Sequence, residues 1–254
     1  MKSLFDRIFL FQILAFLLLV STNNINAQDY FQQKVDFRIQ VKLNDKTNFL
    51  DGYEEFDYTN NSTTTLNEIY IHLWPNAYKN NKTALAIQLN RDKNDALETA
   101  SAEELGYIDS LDFKVNDAKV NWSLDEVYID ICKITLNTPL KPGEKITVST
   151  PFKVKIPSGD ISRLGFVGQS YQITQWYPKP AVFDNEGWHQ MPYLTQGEFY
   201  SEFGSFDVEI TLPKNYVVGA TGDLQTQSEI DFLSSKAKET AKKFLEEGFA
   251  DESS

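Results

Sequence analysis

The sequence predicts a mainly β fold, an antiparallel β-sandwich with a short helical insertion and a C-terminal amphipathic helix. Apolar and polar residues alternate in short runs along most of the chain up to about residue 225, which is typical of half-buried strands. One segment, 76–106, breaks this alternation and is rich in Asn, Lys, Ala, Asp and Glu. After Ser228 the apolar residues recur at helical spacing instead.

The N-terminal residues have the features of a secretory signal peptide. Lys2 and Arg7 precede an apolar run over 8–20, and a short polar stretch follows it. We expect cleavage after a signal peptide spanning 1–27, so that the mature chain is secreted or periplasmic and is not held in a membrane. A retained anchor is the alternative, but the apolar run is short for a membrane span.

The first strands are predicted from period-two patterns. Residues 34–43 place apolar side chains on one face, at Val35, Phe37, Ile39, Val41 and Leu43. A returning strand contains Glu54 and Glu55, which face opposite ways and are interpreted as solvated surface. A third strand ends at Pro75, because proline has no N–H to donate to a ladder.

The middle of the chain contains the insertion and two irregular strands. Ala and Leu spacing predicts short helices around 82–90 and 95–105. Further on, the alternation changes phase between Ile131 and Cys132, which predicts a β-bulge there. A later run keeps one phase despite Pro151, which indicates an edge strand or one that crosses between sheets.

The last part of the chain contains an aromatic and proline-rich stretch, a strand and a helix. Ser228 is a candidate N-cap of that helix and Gly248 a candidate stop. We therefore divide the chain into the signal peptide, a β domain over 28–225, and a helical tail or truncated linker over 226–254.

Composition and motifs exclude several functions. The formal net charge of −12, without a basic stripe, argues against nucleic acid as a partner. The two histidines, His72 and His189, are too far apart in sequence for a His-Glu-x-x-His zinc site, so no metal or cofactor is expected in this chain. Cys132 lies in an apolar run and is predicted to be a buried, inert thiol. No serine-nucleophile motif occurs, so no catalytic residue is assigned.

The aromatic stretch around Trp176 and Trp188 has two interpretations. Exposed rings would stack on a sugar or grip a peptide, which makes these two residues candidate aromatic contacts. Buried rings would instead fill the sandwich core, and we favour this packing role.

Several segments, taken in order, carry a family resemblance. They are Ile-His-Leu-Trp-Pro-Asn-Ala at 71–77, Gln-Ile-Thr-Gln-Trp-Tyr-Pro at 172–178, Ala-Val-Phe-Asp at 181–184, Gly-Ser-Phe-Asp-Val-Glu-Ile-Thr-Leu-Pro at 204–213 and Val-Gly-Ala-Thr-Gly at 218–222. Over about residues 30–225 the chain resembles the N-terminal β domain of the aminopeptidase N family of gluzincin zinc metallopeptidases, in the branch found in secreted bacterial members.

The resemblance implies a saddle-like, largely antiparallel β domain that precedes a zinc-bearing catalytic domain, which is absent from this chain. It also implies that the segment containing Thr174 and Gln175 reaches the active-site cleft. In the family, a Gln or Glu two positions further on helps hold the substrate's free amino group. Tyr177 stands there in this chain, so Gln175 and Tyr177 are the candidate substrate-binding residues. A tyrosine is neutral and does not offer an ammonium the same charge-assisted bond.

Two functional hypotheses follow. In the first, the chain is a noncatalytic N-terminal domain of a secreted zinc metallopeptidase. It would shape the substrate cleft, with the missing catalytic domain or a peptide substrate as its partner. In the second, it is a freestanding secreted module that binds peptide or glycan through the aromatic stretch. Neither hypothesis expects catalysis by this chain alone.

Overall fold

A computed structural model describes residues 30–197 and 199–247 of the chain. The predicted signal peptide and the predicted helix stop at Gly248 lie outside the described residues. The chain divides after Pro213 into two compact units, and each is described by itself.

The first unit is mainly β. Its strands, in chain order, are β1 (Lys34–Asn44), β2 (Phe49–Thr59), β3 (Leu66–His72), β4 (Tyr107–Asp109), β5 (Lys114–Val115), β6 (Ala118–Lys119), β7 (Asn121–Leu124), β8 (Ile131–Leu140), β9 (Lys145–Lys155), β10 (Gly165–Val167), β11 (Ser170–Gln172), β12 (Lys179–Pro180), β13 (Val182–Asp184), β14 (Gly187–His189) and β15 (Phe206–Thr211). A 3-10 helix spans Trp74–Tyr78, and two helices, α1 (Ala84–Arg91) and α2 (Ala96–Thr99), follow it.

Two larger sheets enclose the main core. The first has the strand order β15-β1-β2-β9-β5-β6, with β4 also paired to β9, and the second has the order β12-β3-β8-β7. Buried side chains from both sheets, such as Phe37 and Phe56 from the first and Ile71 and Ile134 from the second, form one cluster. The predicted mainly β sandwich is therefore confirmed.

The strand pairs of these sheets are antiparallel with one exception. β15 runs parallel to β1, with Phe206 opposite Phe37 and Ile210 opposite Val41. This pair is an exception within the largely antiparallel fold that the sequence predicts, and it arises because the chain enters β15 beside the start of β1. The amide of Val35 bonds to the Phe203 carbonyl just before β15 begins.

The predicted β-bulge between Ile131 and Cys132 is wrong. Both residues pair in continuous register with β3, and the irregularity of this pair lies near Leu66 instead. The apolar residues before Ile131 belong to a turn and not to the strand, which begins at Ile131, so the alternation changes phase there. In this turn the Asp125 carboxylate accepts hydrogen bonds from the amides of residues 127 and 128.

The prediction that Pro151 lies in an edge strand, or in one that crosses between sheets, is also wrong, because β9 belongs to a single sheet. β9 has partners on both sides, since β2 covers its whole length and β4 and β5 pair along the other side. Pro151 lies in the gap between β4, which reaches Lys153, and β5, which reaches Ser149. No ladder bond is required of the proline on that side, so an interior strand tolerates it.

The helical insertion forms a second core cluster with the aromatic stretch. Leu85 and Leu89 of α1 pack with Trp74, Tyr78 and other residues of this cluster. Thr83 caps α1 by accepting a hydrogen bond from the Ala86 amide. The second predicted helix is shorter than expected, because a separate turn begins at Ser101.

The second unit contains the helix α3 (Gln227–Glu247). The Thr226 carbonyl accepts bonds from the amides of Glu229 and Ile230, so Thr226, and not the predicted Ser228, precedes the first turn. None of the helices within residues 30–197 and 199–247 is both long and apolar enough to cross a bilayer.

Candidate functional site

The candidate site is the loop 173–178, which connects β11 to β12. Ile173 and Trp176 pack against both core clusters, so apolar contacts hold the loop on either side of its bend. Gln175 lies at the bend with φ of +52°, in the left-handed region. A residue that is neither Gly, Asn nor Asp is uncommon there, and such strain is concentrated at functional sites.

Lys179 holds the side chain of Gln175. The lysine Nζ donates to Gln175 Oε1 at 2.5 Å and to Ser201 Oγ at 3.1 Å. Its backbone is fixed because Lys179 pairs with His72 of β3. The loop's polar tip is therefore tied to a strand of the second sheet.

Lys179 itself is buried, with 6% of its surface exposed. Its Nζ lies 3.8 Å from the centre of the Trp74 ring, a cation–π contact, and 6.0 Å from that of Phe199. Burial disfavours the charged form and lowers the pKa of Lys179 to about 7. Among the residues that the structure describes, no carboxylate forms an ion pair with this ammonium.

His72 lies under the same indole ring and is neutral. Its ring stacks on Trp74 with centroids 4.5 Å apart, and its Nε2 accepts the Met191 amide at 3.2 Å. Burial, followed by the charge of Lys179, lowers the pKa of His72 to about 3. Because Nε2 accepts, the proton is on Nδ1, and neither nitrogen is an open metal ligand.

His189 belongs to a different polar cluster. Its Nε2 lies 2.7 Å from Asp184 Oδ1, and the Tyr200 hydroxyl donates to Asp184 Oδ2 at 3.2 Å. The carboxylate of Asp184 is thus shared between the histidine and the tyrosine. These contacts fit a structural role for His189.

The side chains that the structure describes do not fit a zinc site. No group of three His, Cys, Asp or Glu side chains suited to a metal ion occurs within 30–197 and 199–247. Cys132 is fully buried, and burial holds the pKa of its thiol well above the usual range. Both histidine Nε2 atoms already face partners, so we assign no step to a metal here.

Tyr177, the second predicted substrate-binding residue, packs towards the core. Its ring meets Phe37 edge-on at 5.5 Å and Phe206 at 6.0 Å. Burial, and then the nearby Glu54, raises the pKa of the Tyr177 hydroxyl, so it stays protonated. Its ring contacts Phe37, Trp176 and Phe206, whereas Gln175 bonds to Lys179, so the two predicted residues have different surroundings.

Trp176 and Trp188 are half-buried against the main core. Trp176 lies 5.9 Å from the ring of Phe152, and Trp188 lies 5.0 Å from that of Phe183 and 5.7 Å from that of Tyr70. These contacts are of the kind expected for packing rings rather than for an open stacking platform.

Glu54 was missed by sequence reasoning. Its side chain is fully buried on β2, and neither carboxylate oxygen has a hydrogen-bond partner. Burial raises the pKa of this carboxyl well above its usual range. The interpretation of Glu54 as solvated surface is wrong, because it shares the core face with Phe56 and Tyr58. That period-two relation was the available signal.

A shallow cavity of about 570 Å³ lies at the start of the loop, where β11 ends at Gln172. Its polar lining includes Asp92, Asn94, Arg163 and Thr195. Arg163 donates to the Thr195 carbonyl at 3.1 Å. The loop therefore has an accessible polar depression beside it.

Comparisons with known proteins gave similarity to solved structures. No protein-family model and no curated protein matches the sequence. The chain is similar to the M1 zinc metallopeptidase from Deinococcus radiodurans, with 14% identity, a TM-score of 0.41, and coverage of 78% of this chain and 35% of that one. A mutant of this enzyme bound to a Tyr-Ser-Ala substrate gives 13% identity and a TM-score of 0.42, covering 77% of this chain and 36% of that one.

Native yeast LTA4 hydrolase is a weaker match, with 8% identity and a TM-score of 0.29 over 52% of this chain and 17% of that one. This chain spans about a third of the length of the M1 zinc metallopeptidase structures, and over most of its own length it is similar to them.

Proposed function

We propose that the chain is a noncatalytic N-terminal domain of an exported zinc metallopeptidase that resembles aminopeptidase N. Its catalytic domain would lie outside this chain. In this proposal the loop 173–178 forms part of the wall of the substrate cleft, and Gln175 contacts the bound peptide. The zinc and the reaction chemistry would belong entirely to the partner domain.

The observation that carries the proposal is the conformation of Gln175. Its left-handed backbone and its bond to a buried lysine hold a polar side chain at the bend of the loop. The ordered motif 172–178 resembles the family segment that reaches the cleft. Lys93 and Ser110 also have a left-handed backbone, so this conformation supports a binding role for Gln175 only together with the family segment in which it lies.

A first experiment tests the noncatalytic role. The purified chain, supplied with zinc, is assayed for hydrolysis of aminoacyl-arylamides. We expect no turnover above a buffer control. Turnover that copurifies with the chain and is removed by a chelator would contradict the proposal.

A second experiment tests the cleft role. Sequencing of the gene past the codon for Ser254 should reveal a continuing frame that encodes His-Glu-x-x-His and a further glutamate. In that longer enzyme, Gln175→Ala should lower kcat/KM for peptides by about tenfold or more, since a hydrogen bond to substrate is lost. Gln169→Ala, in the exposed turn between β10 and β11 and outside the motif 172–178, is the matched control and should have little effect. Equal effects of the two substitutions would argue against a contact by Gln175.

A further inference from the structure

The orientation of the Gln175 amide follows from its partner. A lysine Nζ has only N–H donors to offer in its charged form, and it meets the amide at 2.5 Å. The amide atom facing it is therefore the oxygen, and the alternative flipped orientation would place two donors against each other. The NH₂ group of Gln175 must then point away from Lys179.

The lysine is a rigid anchor for this orientation. It has a second bond to Ser201 and a face-on contact with Trp74, and it is almost fully buried. A long charged side chain held on three sides loses the rotamer freedom that would let it release Gln175. The charged form has no acceptor lone pair, so it fixes this amide orientation below the Lys179 pKa of about 7.

The free side of Gln175 is thus a hydrogen-bond donor. Within the described residues, Gln175 Nε2 donates to no acceptor, and the residue is only partly buried. A ligand ammonium would find two N–H donors and, below the Lys179 pKa of about 7, a positive charge behind them. Tyr177 gives no compensating negative charge, because its ring packs on Phe37 and its hydroxyl stays protonated.

We infer that the Gln175–Lys179 pair selects a peptide group that accepts hydrogen bonds, a carbonyl oxygen, and disfavours a free α-ammonium. The substrate class of the proposed cleft is then peptides that present a blocked N-terminus or an internal segment. This inference rests on the proposed function, because it needs Gln175 to contact the bound peptide. Lys179 acts as a positioning residue and Gln175 as the contact.

Two matched peptides test it. N-acetyl-Ala-Ala-amide and Ala-Ala-amide differ in whether the terminal nitrogen is acylated or charged. Each is titrated at pH 6, where Lys179 is charged, into the ¹⁵N-labelled chain. The side-chain amide signals of Gln175 are followed by NMR together with the backbone amide signals of residues 173–177, which the variants also have. We expect the acetylated peptide to shift these signals at about tenfold lower concentration, because the charged terminus faces repulsion and an unpaired donor.

Substitutions separate the pair's roles. Gln175→Glu is nearly isosteric, can still accept from Lys179, and turns its second oxygen outward as an acceptor. We expect it to abolish or reverse the preference between the peptides, whereas Gln169→Glu, in the exposed turn between β10 and β11, should leave it unchanged. Lys179→Met should weaken the preference by freeing the amide to rotate. The Glu variant still decides the matter if the Met variant does not fold.

The possible failures are distinguishable. If both peptides bind but the native chain prefers the free ammonium, or if Gln175→Glu leaves the ratio unchanged, the inference is wrong while a cleft role for the loop stands. If neither peptide shifts the Gln175 signals up to its solubility limit, both the peptide contact and the selectivity built on it are rejected.

Discussion

Glu54 and Glu55 are consecutive on β2, yet Glu54 is fully buried without a hydrogen-bond partner, and Glu55 bonds to Arg38 at 2.6 Å on the other face. The strand alternates its side chains between the core and the surface, so one carboxyl is desolvated and the other is paired in water. The same side chain therefore has opposite energetic effects at adjacent positions.

Glu54→Gln should stabilise the chain, and the gain should grow with pH. Burial raises the pKa of Glu54 in the folded chain. The native chain therefore has its full stability below the ordinary value of 4.5 and loses stability as pH rises towards the folded pKa. The loss is about 1.4 kcal/mol per pH unit over that interval, and glutamine does not titrate. Urea unfolding at pH 5 and pH 8 measures the difference.

Glu55→Gln is the matched control for this substitution. It removes one partner of an exposed ion pair, so it should lower the free energy of unfolding by less than about 1 kcal/mol. A Glu54→Gln variant that is no more stable than the native chain at pH 8 would show that the buried carboxyl has a partner.

Trp74→Ala should destabilise the first unit strongly. The indole is almost fully buried, donates to the Met191 carbonyl at 3.0 Å, and contacts both His72 and Lys179. Truncation of a buried tryptophan costs about 3–5 kcal/mol. Chemical denaturation followed by circular dichroism measures this, with Trp122→Ala on the partly exposed β7 as the control. A similar loss for both variants would mean that Trp74 is not a centre of packing.

Gly52→Ala should destabilise the sheet through a clash with one ring. A Cβ on Gly52 would lie 2.2 Å from an atom of the Phe152 ring, which faces it across the β2–β9 pair. Overpacking of this kind costs about 1–3 kcal/mol. In the double variant with Phe152→Leu, part of that cost should disappear, and a double-mutant cycle of unfolding energies measures the coupling. If the unfolding energies of the two substitutions simply add, the strain of Gly52→Ala does not come from the Phe152 ring.

Cys132 should report on unfolding. Its thiol is fully buried in β8, and burial raises its pKa, so the native chain should not react with a thiol reagent such as DTNB. Reaction should appear with the same denaturant midpoint as the loss of secondary structure. Rapid labelling of the native chain, compared with Cys132→Ser as a blank, would show that β8 opens locally.

The local patterns of the sequence predicted the strands well. The alternation in β1 places Val35, Phe37 and Ile39 in the core, and the turn and proline signals bound the neighbouring strands as expected. These features depend on neighbouring residues, and a period-two pattern has only one low-energy way to bury its apolar face. Cys132, interpreted from its apolar context alone, is buried as predicted.

The partners across the sheets were not predictable in the same way. Whether Pro151 lies at an edge depends on which strands pair beside it, and the phase change at Ile131 depends on where the strand begins. Both are settled by contacts with residues distant in sequence. The burial of Glu54 likewise requires a second sheet above β2.

By itself, the sequence determined the mainly β class, the lack of a His-Glu-x-x-His zinc motif and the motifs that resemble a metallopeptidase family. Only the tertiary structure decided which way the Gln175 amide points. The amide is oriented by Lys179, and Lys179 is held by Trp74 and Ser201, which come from separate parts of the chain. Hydrogen-bond polarity is a property of that assembled group, because an amide has both a donor end and an acceptor end until a neighbour occupies one of them.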